Sequence, residues 1–253
     1  MWNPYDFSDK KILITGATSG IGRATAIRLS EQGASIYIIA RDEKKIQETI
    51  SMLQGEGHKG YIKDLSESGG YKEIFDDIIK DGNKIDGLVH CAGISKVVPA
   101  GLLSKKTMDD SMTINLYSFI EMVSLLSKNK YHNDASVVGI SSIATVYPQK
   151  CQSAYVAAKA AMEAVVTSLA LELSDKNIRI NAVRPSTTNT PMLQEAIKGK
   201  SEEQIQEMFG KQVLGVLEPE DVADIIMFLL SDASRKITGR SLYADGGYIP
   251  IMI

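Results

Sequence analysis

Short apolar runs rich in isoleucine and valine alternate with longer segments of helical period along this chain, the signature of βα units feeding a parallel sheet. Lys11–Thr15 reads as a first strand and Ile21 to Gln32 as its helix, closed by Gly33. Ser35–Ala40 is a second strand, followed by a charged helix from about Asp42 to Leu53. A weaker strand near Gly60–Ile62, a helix at about Gly70–Lys80 and a strand at Asp86–His90 come next. One long helical stretch is predicted from about Lys105 to Ser127. Ala135–Ile140 and Ile178–Val183 read as strands on either side of a helix over Ser153–Leu173, and Ser241–Tyr243 as a short last strand. Ile36–Ile39 and Val137–Ile140 are apolar on both faces, as buried parallel strands must be. The pattern predicts an α/β fold: a doubly wound parallel sheet (Rossmann fold) of about seven strands.

No proline-rich or serine-rich linker interrupts the 253 residues, so one domain is expected, its unusual feature an insertion at about 191–215. Hydrophobic residues make up 44% and charged residues 23%, which fits an ordinary globular chain. The apolar stretches noticed in the sequence, such as Ile225–Leu230, fall short of a membrane span and read as core. Met1–Lys11 has no basic region followed by an apolar run, so a cytoplasmic protein is expected. The two cysteines, Cys91 and Cys151, read as reduced thiols, and the scattered His58, His90 and His132 give no reason to expect a metal. A net charge of −3 offers no general attraction for nucleic acid.

Between the first strand and its helix stands Thr15-Gly16-Ala17-Thr18-Ser19-Gly20-Ile21-Gly22. A sharp strand-to-helix turn that lets a pyrophosphate approach the backbone needs residues without a Cβ, and the helix N-terminus beyond it supplies unpaired N–H groups. The second strand ends Ile39-Ala40-Arg41-Asp42. An acidic residue at its tip would bind both ribose hydroxyls of NAD; Ala40 cannot, whereas Arg41 offers a planar fork of donors matched to a 2′-phosphate. NADP(H) is therefore expected, the bland alternative being an Arg41 solvated beside Asp42. Tyr155 and Lys159 lie four apart near the start of a predicted helix, on one face. An ammonium beside a phenol favours the phenolate, so the pairing, with a bound positively charged nicotinamide, predicts a Tyr155 more acidic than a free tyrosine.

Taken together, the ordered motifs resemble the short-chain dehydrogenase/reductase family in its compact single-domain form: Thr15-Gly16 to Gly22, Asp64, Cys91-Ala92-Gly93, Asn115, Ser142, Tyr155 to Lys159, Asn181 to Pro185, Thr190 and Asp245-Gly246-Gly247. The likeness runs from Lys11 to Tyr248. It implies hydride transfer between a nicotinamide cofactor and a carbonyl or secondary alcohol, with Tyr155 as general acid/base. Lys159 would hold the nicotinamide ribose, Ser142 would hydrogen-bond the substrate oxygen, and Asn115 would keep a relay water behind Lys159. The same resemblance assigns cofactor contacts to Gly16, Thr18, Ser19, Gly20, Ile21, Gly22 and Arg41. It adds Asp64 and Leu65 for adenine, Cys91, Ala92 and Gly93 along the ribose, and Pro185, Ser186, Thr188 and Thr190 on the nicotinamide side.

Three positions depart from the family pattern. His90-Cys91 stands where two asparagines are usual, so an asparagine hydrogen bond supporting the neighbouring turn is lost or replaced. Ser186 replaces the glycine after Pro185, with polar Thr188 nearby. Ser19 occupies a position that is basic in many NADP-dependent relatives, which leaves phosphate recognition mainly to Arg41. Substrate selectivity is expected from 94–98, 143–150 and 191–213; Met192, Leu193, Ile197, Met208 and Phe209 fit either an amphipathic lid or ordinary packing. A 3-oxoacyl thioester on a carrier protein and a keto-sugar are candidate substrates, and an NADP(H)-binding redox sensor without turnover is the competing reading. The resemblance also implies a homo-oligomer, a dimer or tetramer built on the helices at 105–127 and 153–173, with the 250–253 tail packing across a subunit boundary.

Overall fold

The computed structural model describes residues 3–248, so the expectation for the 250–253 tail lies outside the described residues. Its strands are β1 (Lys11–Thr15), β2 (Ser35–Ala40), β3 (Lys59–Ile62), β4 (Gly87–His90), β5 (Ala135–Ile140), β6 (Ile178–Pro185) and β7 (Ser241–Ala244). They form one seven-stranded sheet in the order β3-β2-β1-β4-β5-β6-β7, parallel throughout. The helices are α1 (Gly20–Glu31), α2 (Glu43–Ile50), α3 (Tyr71–Ile78), α4 (Lys105–Met112), α5 (Ser118–Leu126), α6 (Ser153–Leu173), α7 (Pro191–Ile197), α8 (Glu202–Phe209) and α9 (Pro219–Leu230).

Side chains of successive strand residues leave the sheet on opposite faces, and here both faces are covered. Ile12, Ile14, Ile38, Val89 and Val138 face one layer, made with α1 and α9; Leu13, Leu88, Val137 and Ile180 face the other, made with α3, α5 and α6. From β1 the chain winds outward through β2 to β3, then returns to place β4 on the other side of β1. That reversal opens a crevice beyond the carboxyl ends of β1 and β4, where Thr15 and His90 are register partners.

Three elements differ from the sequence expectations. The stretch predicted as one helix is broken: α4 and α5 are joined by a π-helical turn over Thr113–Tyr117. Inside that turn the Asn115 side-chain amide donates to the Ser111 carbonyl at 3.0 Å, so a side chain has entered the helical ladder and swollen it by a residue. Ile225–Leu230, read only as apolar core, belongs to α9, a helix begun by Pro219 at its first turn and a capping box between Glu218 and Asp221. The 191–215 insertion folds into α7 and α8, in which Leu193 is buried and Met192 exposed.

Helix α6 with its terminal turn corrects another expectation. Ser153–Lys176 spans 24 residues with a mean hydropathy of 1.4, long and apolar enough by composition to cross a membrane. Its place in the fold says otherwise: Ala154, Ala158, Met162, Val166, Ala170 and Leu173 line the face buried against the sheet. The outward face keeps apolar groups as well, Leu171 being 79% exposed.

Candidate active site

The turn after β1 brings the chain closest to a neighbouring strand. Gly16 has φ 69°, and a Cβ there would stand 2.7 Å from the Ala92 nitrogen and 2.8 Å from its Cα. Backbone atoms cannot yield as a flexible side chain can, so both conformation and space require glycine. Cys91 N–H donates to the Thr15 carbonyl and Ala92 N–H to the Thr15 hydroxyl, at 3.2 Å each, binding the Cys91–Gly93 loop to the same turn. Ser19 precedes α1 with extended backbone and its hydroxyl makes no capping bond, so the first N–H groups of the helix are left for an external acceptor. Arg23 braces this turn from behind, donating to the Thr18 carbonyl and, at 3.2 Å, to the Thr49 hydroxyl. Ile21 is half-buried against the core beside the turn, and Thr190 packs over Gly20 from the start of α7.

At the adenosine end, Asp42 is occupied as the N-cap of α2, accepting from Lys45 N–H at 3.1 Å. Arg41 is free of it: its side chain is 71% exposed and its nearest carboxylate is that of Asp64, 4.0 Å away. The Asp64 carboxyl is held below its usual range, chiefly by accepting from Ser66, with Arg41 a smaller influence. Leu65 is buried in the core, which leaves its backbone rather than its side chain to meet an adenine. A cavity of about 260 Å³ opens next to this region, lined by Ser66, Ile94, Lys96, Asp110, Thr113 and Ile114. A larger depression of about 450 Å³ surrounds His132 at the opposite, amino-terminal edge of the sheet, away from the crevice.

Tyr155 and Lys159 occupy the first two turns of α6 and come together as their spacing predicts, with the ammonium 5.8 Å from the phenol ring centre. The ammonium by itself does not supply the expected acidity. Lys159 is 3% exposed and its ammonium donates to the Ile140 carbonyl at 2.6 Å, at the end of β5. Burial pushes its pKa down to about 8, opposed weakly by Cys91. The Tyr155 phenol is pushed up rather than down, because its own desolvation outweighs the approach of the Ser142 hydroxyl and Lys159 brings it no relief. A positive charge in the crevice is the remaining means of making this phenol acidic, and the cation of an oxidised nicotinamide would be one.

Gly93 marks where the remaining groups meet: a Cβ on it would lie 2.8 Å from Asn115 Oδ1 and 3.3 Å from Lys159 Nζ. Asn115 is wholly buried, donating to the Ile94 carbonyl at 3.0 Å and accepting from Ile94 N–H at 3.1 Å. Cys91 forms another wall, its thiol raised to about 12 by burial, so it is inert as a nucleophile. Ser142 caps a short turn by accepting from Ala144 N–H at 3.1 Å, which leaves its own proton to donate. Pro185, the last residue of β6, is buried; beyond it Thr188 donates to the Ser186 carbonyl at 3.0 Å, and Thr190 caps α7. The Ser186 hydroxyl is buried without a hydrogen-bond partner among the described residues, a polar group after β6 for which a ligand atom would supply a partner. Free helix N–H groups, a glycine cradle and this unpaired hydroxyl fit a dinucleotide.

Comparison with known proteins agrees with this geometry. A family model described as enoyl-(acyl carrier protein) reductase matches residues 16–249. L-xylulose reductase of Caenorhabditis elegans is 31% identical over 250 residues, covering 96% of this chain and 97% of its own. The chain belongs to the short-chain dehydrogenase/reductase family. The 3-oxoacyl-(acyl-carrier-protein) reductase FabG of Thermotoga maritima is 30% identical, with 95% of this chain and 98% of that one aligned. The NAD-dependent glycerol dehydrogenase of Listeria innocua is also 30% identical, over 96% and 95% of the two chains. Among solved structures, a short-chain type dehydrogenase/reductase from Mycobacterium ulcerans superposes with a TM-score of 0.85 at 28% identity, covering 96% of this chain and 90% of that one. The protein is thus an oxidoreductase of a family that uses nicotinamide cofactors.

One part of this family member's site went unread in the sequence. Glu163 Oε1 accepts from Ser141 Oγ at 2.5 Å, Thr145 Oγ1 at 3.1 Å and Arg184 Nε at 2.7 Å, while Oε2 accepts from Arg184 Nη2 at 2.6 Å. This forked pair clamps the 141–145 loop, which carries Ser142, between α6 and β6. Two signals pointed to it: a carboxylate one turn beyond Lys159 on the same face, and an arginine next to the end of β6. Glu163→Ala leaves Arg184 and the Ser141 hydroxyl without their acceptor in a mostly buried setting, while Thr145 keeps the Ser142 carbonyl. It is expected to lower stability by about 2–4 kcal/mol in urea denaturation; a loss under about 0.5 kcal/mol would show the clamp to be incidental.

Proposed function

We propose that this protein is an NADP(H)-dependent carbonyl reductase, interconverting a ketone and a secondary alcohol with Tyr155 as the proton donor and acceptor. The carrying observation is the convergence of Tyr155, Lys159, Ser142 and Asn115 at the end of β5 beside Gly93. When bound, the nicotinamide supplies or accepts the hydride. Tyr155 gives its proton to the carbonyl oxygen during reduction, and the Ser142 hydroxyl, which accepts from Ala144 N–H and has its own proton to donate, hydrogen-bonds the same oxygen. Lys159 holds the nicotinamide ribose, and Asn115, fixed by Ile94, keeps the water through which the proton is replaced.

Exposed Arg41, with Ala40 in place of an acidic residue, supports a 2′-phosphate and hence NADP(H). Listeria glycerol dehydrogenase shows that NAD dependence also occurs at this level of similarity, so this preference rests on Arg41 alone. The substrate class is drawn from the relatives: a 3-oxoacyl thioester, as for the Thermotoga enzyme, or a keto-sugar, as for the nematode one. We further place the protein in the cytoplasm, a setting that suits its two free thiols.

The outward faces of α5 and α6, with Leu171 and neighbouring Tyr117 exposed, support a homo-oligomer, dimer or tetramer. Light scattering is expected to return a multiple of the 27.6 kDa chain mass; a monomer at micromolar concentration would refute it.

The activity is tested by following NADPH absorbance against a panel of 3-oxoacyl thioesters and keto-sugars. Wild type is expected to turn over at least one of them and to prefer NADPH to NADH at least tenfold, a preference that Arg41→Ala removes. Tyr155→Phe should lose at least about a hundredfold in kcat while still binding NADPH. Equal use of both cofactors would overturn the NADP(H) assignment, and an active Tyr155→Phe the mechanism. NADPH binding with no turnover of any panel member would favour a redox sensor.

A further inference from the structure

His90 ends a buried strand and is itself wholly buried, in a position where the family usually has asparagine. Its ring fills the space between the two halves of the site. Nδ1 lies 2.9 Å from the Thr15 hydroxyl, Nε2 lies 3.1 Å from the Ile114 carbonyl, and the Phe119 ring packs at 5.6 Å. A carbonyl can only accept, so Nε2 carries the proton. Nδ1 of the neutral ring is then an acceptor, and the Thr15 O–H donates to it. Thr15 Oγ1 in turn accepts from Ala92 N–H at 3.2 Å. Every donor in this chain has an acceptor, and its order is fixed from end to end: Ala92 N–H to Thr15, Thr15 O–H to His90, His90 N–H to Ile114. Charge on the ring would break that order, since Nδ1–H would confront a hydroxyl proton. Burial and the Lys159 ammonium, the charged group facing it, keep the ring neutral by lowering its pKa to about 3.

The two ends of the chain are functional elements. Ala92 belongs to the loop that meets the glycine turn at Gly16, and Ile114 lies in the π-helical turn immediately before Asn115. We propose that His90 is a positioning residue which, as its Nε2–H tautomer, couples the cofactor-binding turn to the π-helical turn that presents Asn115. It does so through two directional hydrogen bonds, making the dinucleotide cradle and the relay asparagine one mechanical unit. The inference rests on the carbonyl-reductase reading for its consequence in turnover, but the hydrogen-bond chain itself stands apart from that reading.

Two measurements test it. In wild-type protein labelled with 15N-histidine and assigned with a His90→Gln sample, His90 is expected to show a protonated Nε2 and a bare Nδ1 at pH 7, unchanged at pH 5. A protonated Nδ1, or titration near 6.5, would overturn the proposal whether or not any variant folds. For function, His90→Phe keeps a ring and deletes both bonds, whereas His90→Gln retains one acceptor and one donor. His90→Phe should raise the Kd for NADPH about tenfold and lower kcat at saturating NADPH about tenfold as well, because each end of the chain loses its hydrogen bond to the ring. His90→Gln should stay within about threefold of wild type in both. A His90→Phe that is merely less stable, with wild-type Kd and kcat, or a His90→Gln as impaired as the phenylalanine variant, would overturn it. Failure of the wild type to bind any nicotinamide dinucleotide would count against the functional reading instead, and the ring-nitrogen spectrum would still decide the coupling.

Discussion

An ammonium ion held almost entirely out of water organises this molecule. Lys159 is 3% exposed, and removing a charge from water costs several kcal/mol even after relaxation. The Ile140 carbonyl, 2.6 Å away at the tip of β5, offsets part of that cost, and the depressed pKa near 8 records what remains. The surroundings accommodate the charge step by step. Gly93 has no side chain because the ammonium and Asn115 fill the space, Cys91 supplies an inert wall, and His90 remains neutral beside it. A cation under this tension would gain by meeting the hydroxyls of a ligand, so the desolvation that makes the ammonium costly would also favour binding.

The rest of the fold holds that group in register with the crevice. The parallel sheet reverses its winding between β1 and β4, which brings the glycine turn and the Cys91–Gly93 loop together. From the other side, the Glu163–Arg184 fork ties α6 to β6 and to the loop bearing Ser142. Tyr155 and Lys159 thus ride on a helix anchored at two successive turns, by a carbonyl and by a carboxylate, and the positions of these two side chains follow from the sheet.

Much of this was legible in the chain. The limits of β1, β2, β5 and α6 match the sequence reading, because apolar periodicity and turn residues are local signals that the fold did not override. The Tyr155–Lys159 pairing and the glycine turn were likewise local. What was missed depended on contacts distant in sequence. The π-helical turn exists because Asn115 bonds Ile94, twenty-one positions earlier, as well as Ser111 within its own helix. The capping signals of α9 were present at Glu218, Pro219 and Asp221 but went unread behind its apolar run. Spacing shows the charge next to Tyr155 and hides how deeply both groups are buried, so it was not legible that Lys159 alone would not supply the acidity. The His90 contacts with Thr15 and Ile114 likewise join residues distant in sequence, where the chain alone showed only a departure from the family pattern.

The most direct test of the account is the titration of Lys159 itself, observed through the 13Cε resonance of selectively labelled lysine in the protein without dinucleotide and assigned with a Lys159→Arg sample. A transition near pH 8, well below that of the surface lysines, is the predicted result. A Lys159 that titrates with the surface lysines near 10.4 would mean that the ammonium is solvated, and the burial on which the geometry of the site depends would be contradicted.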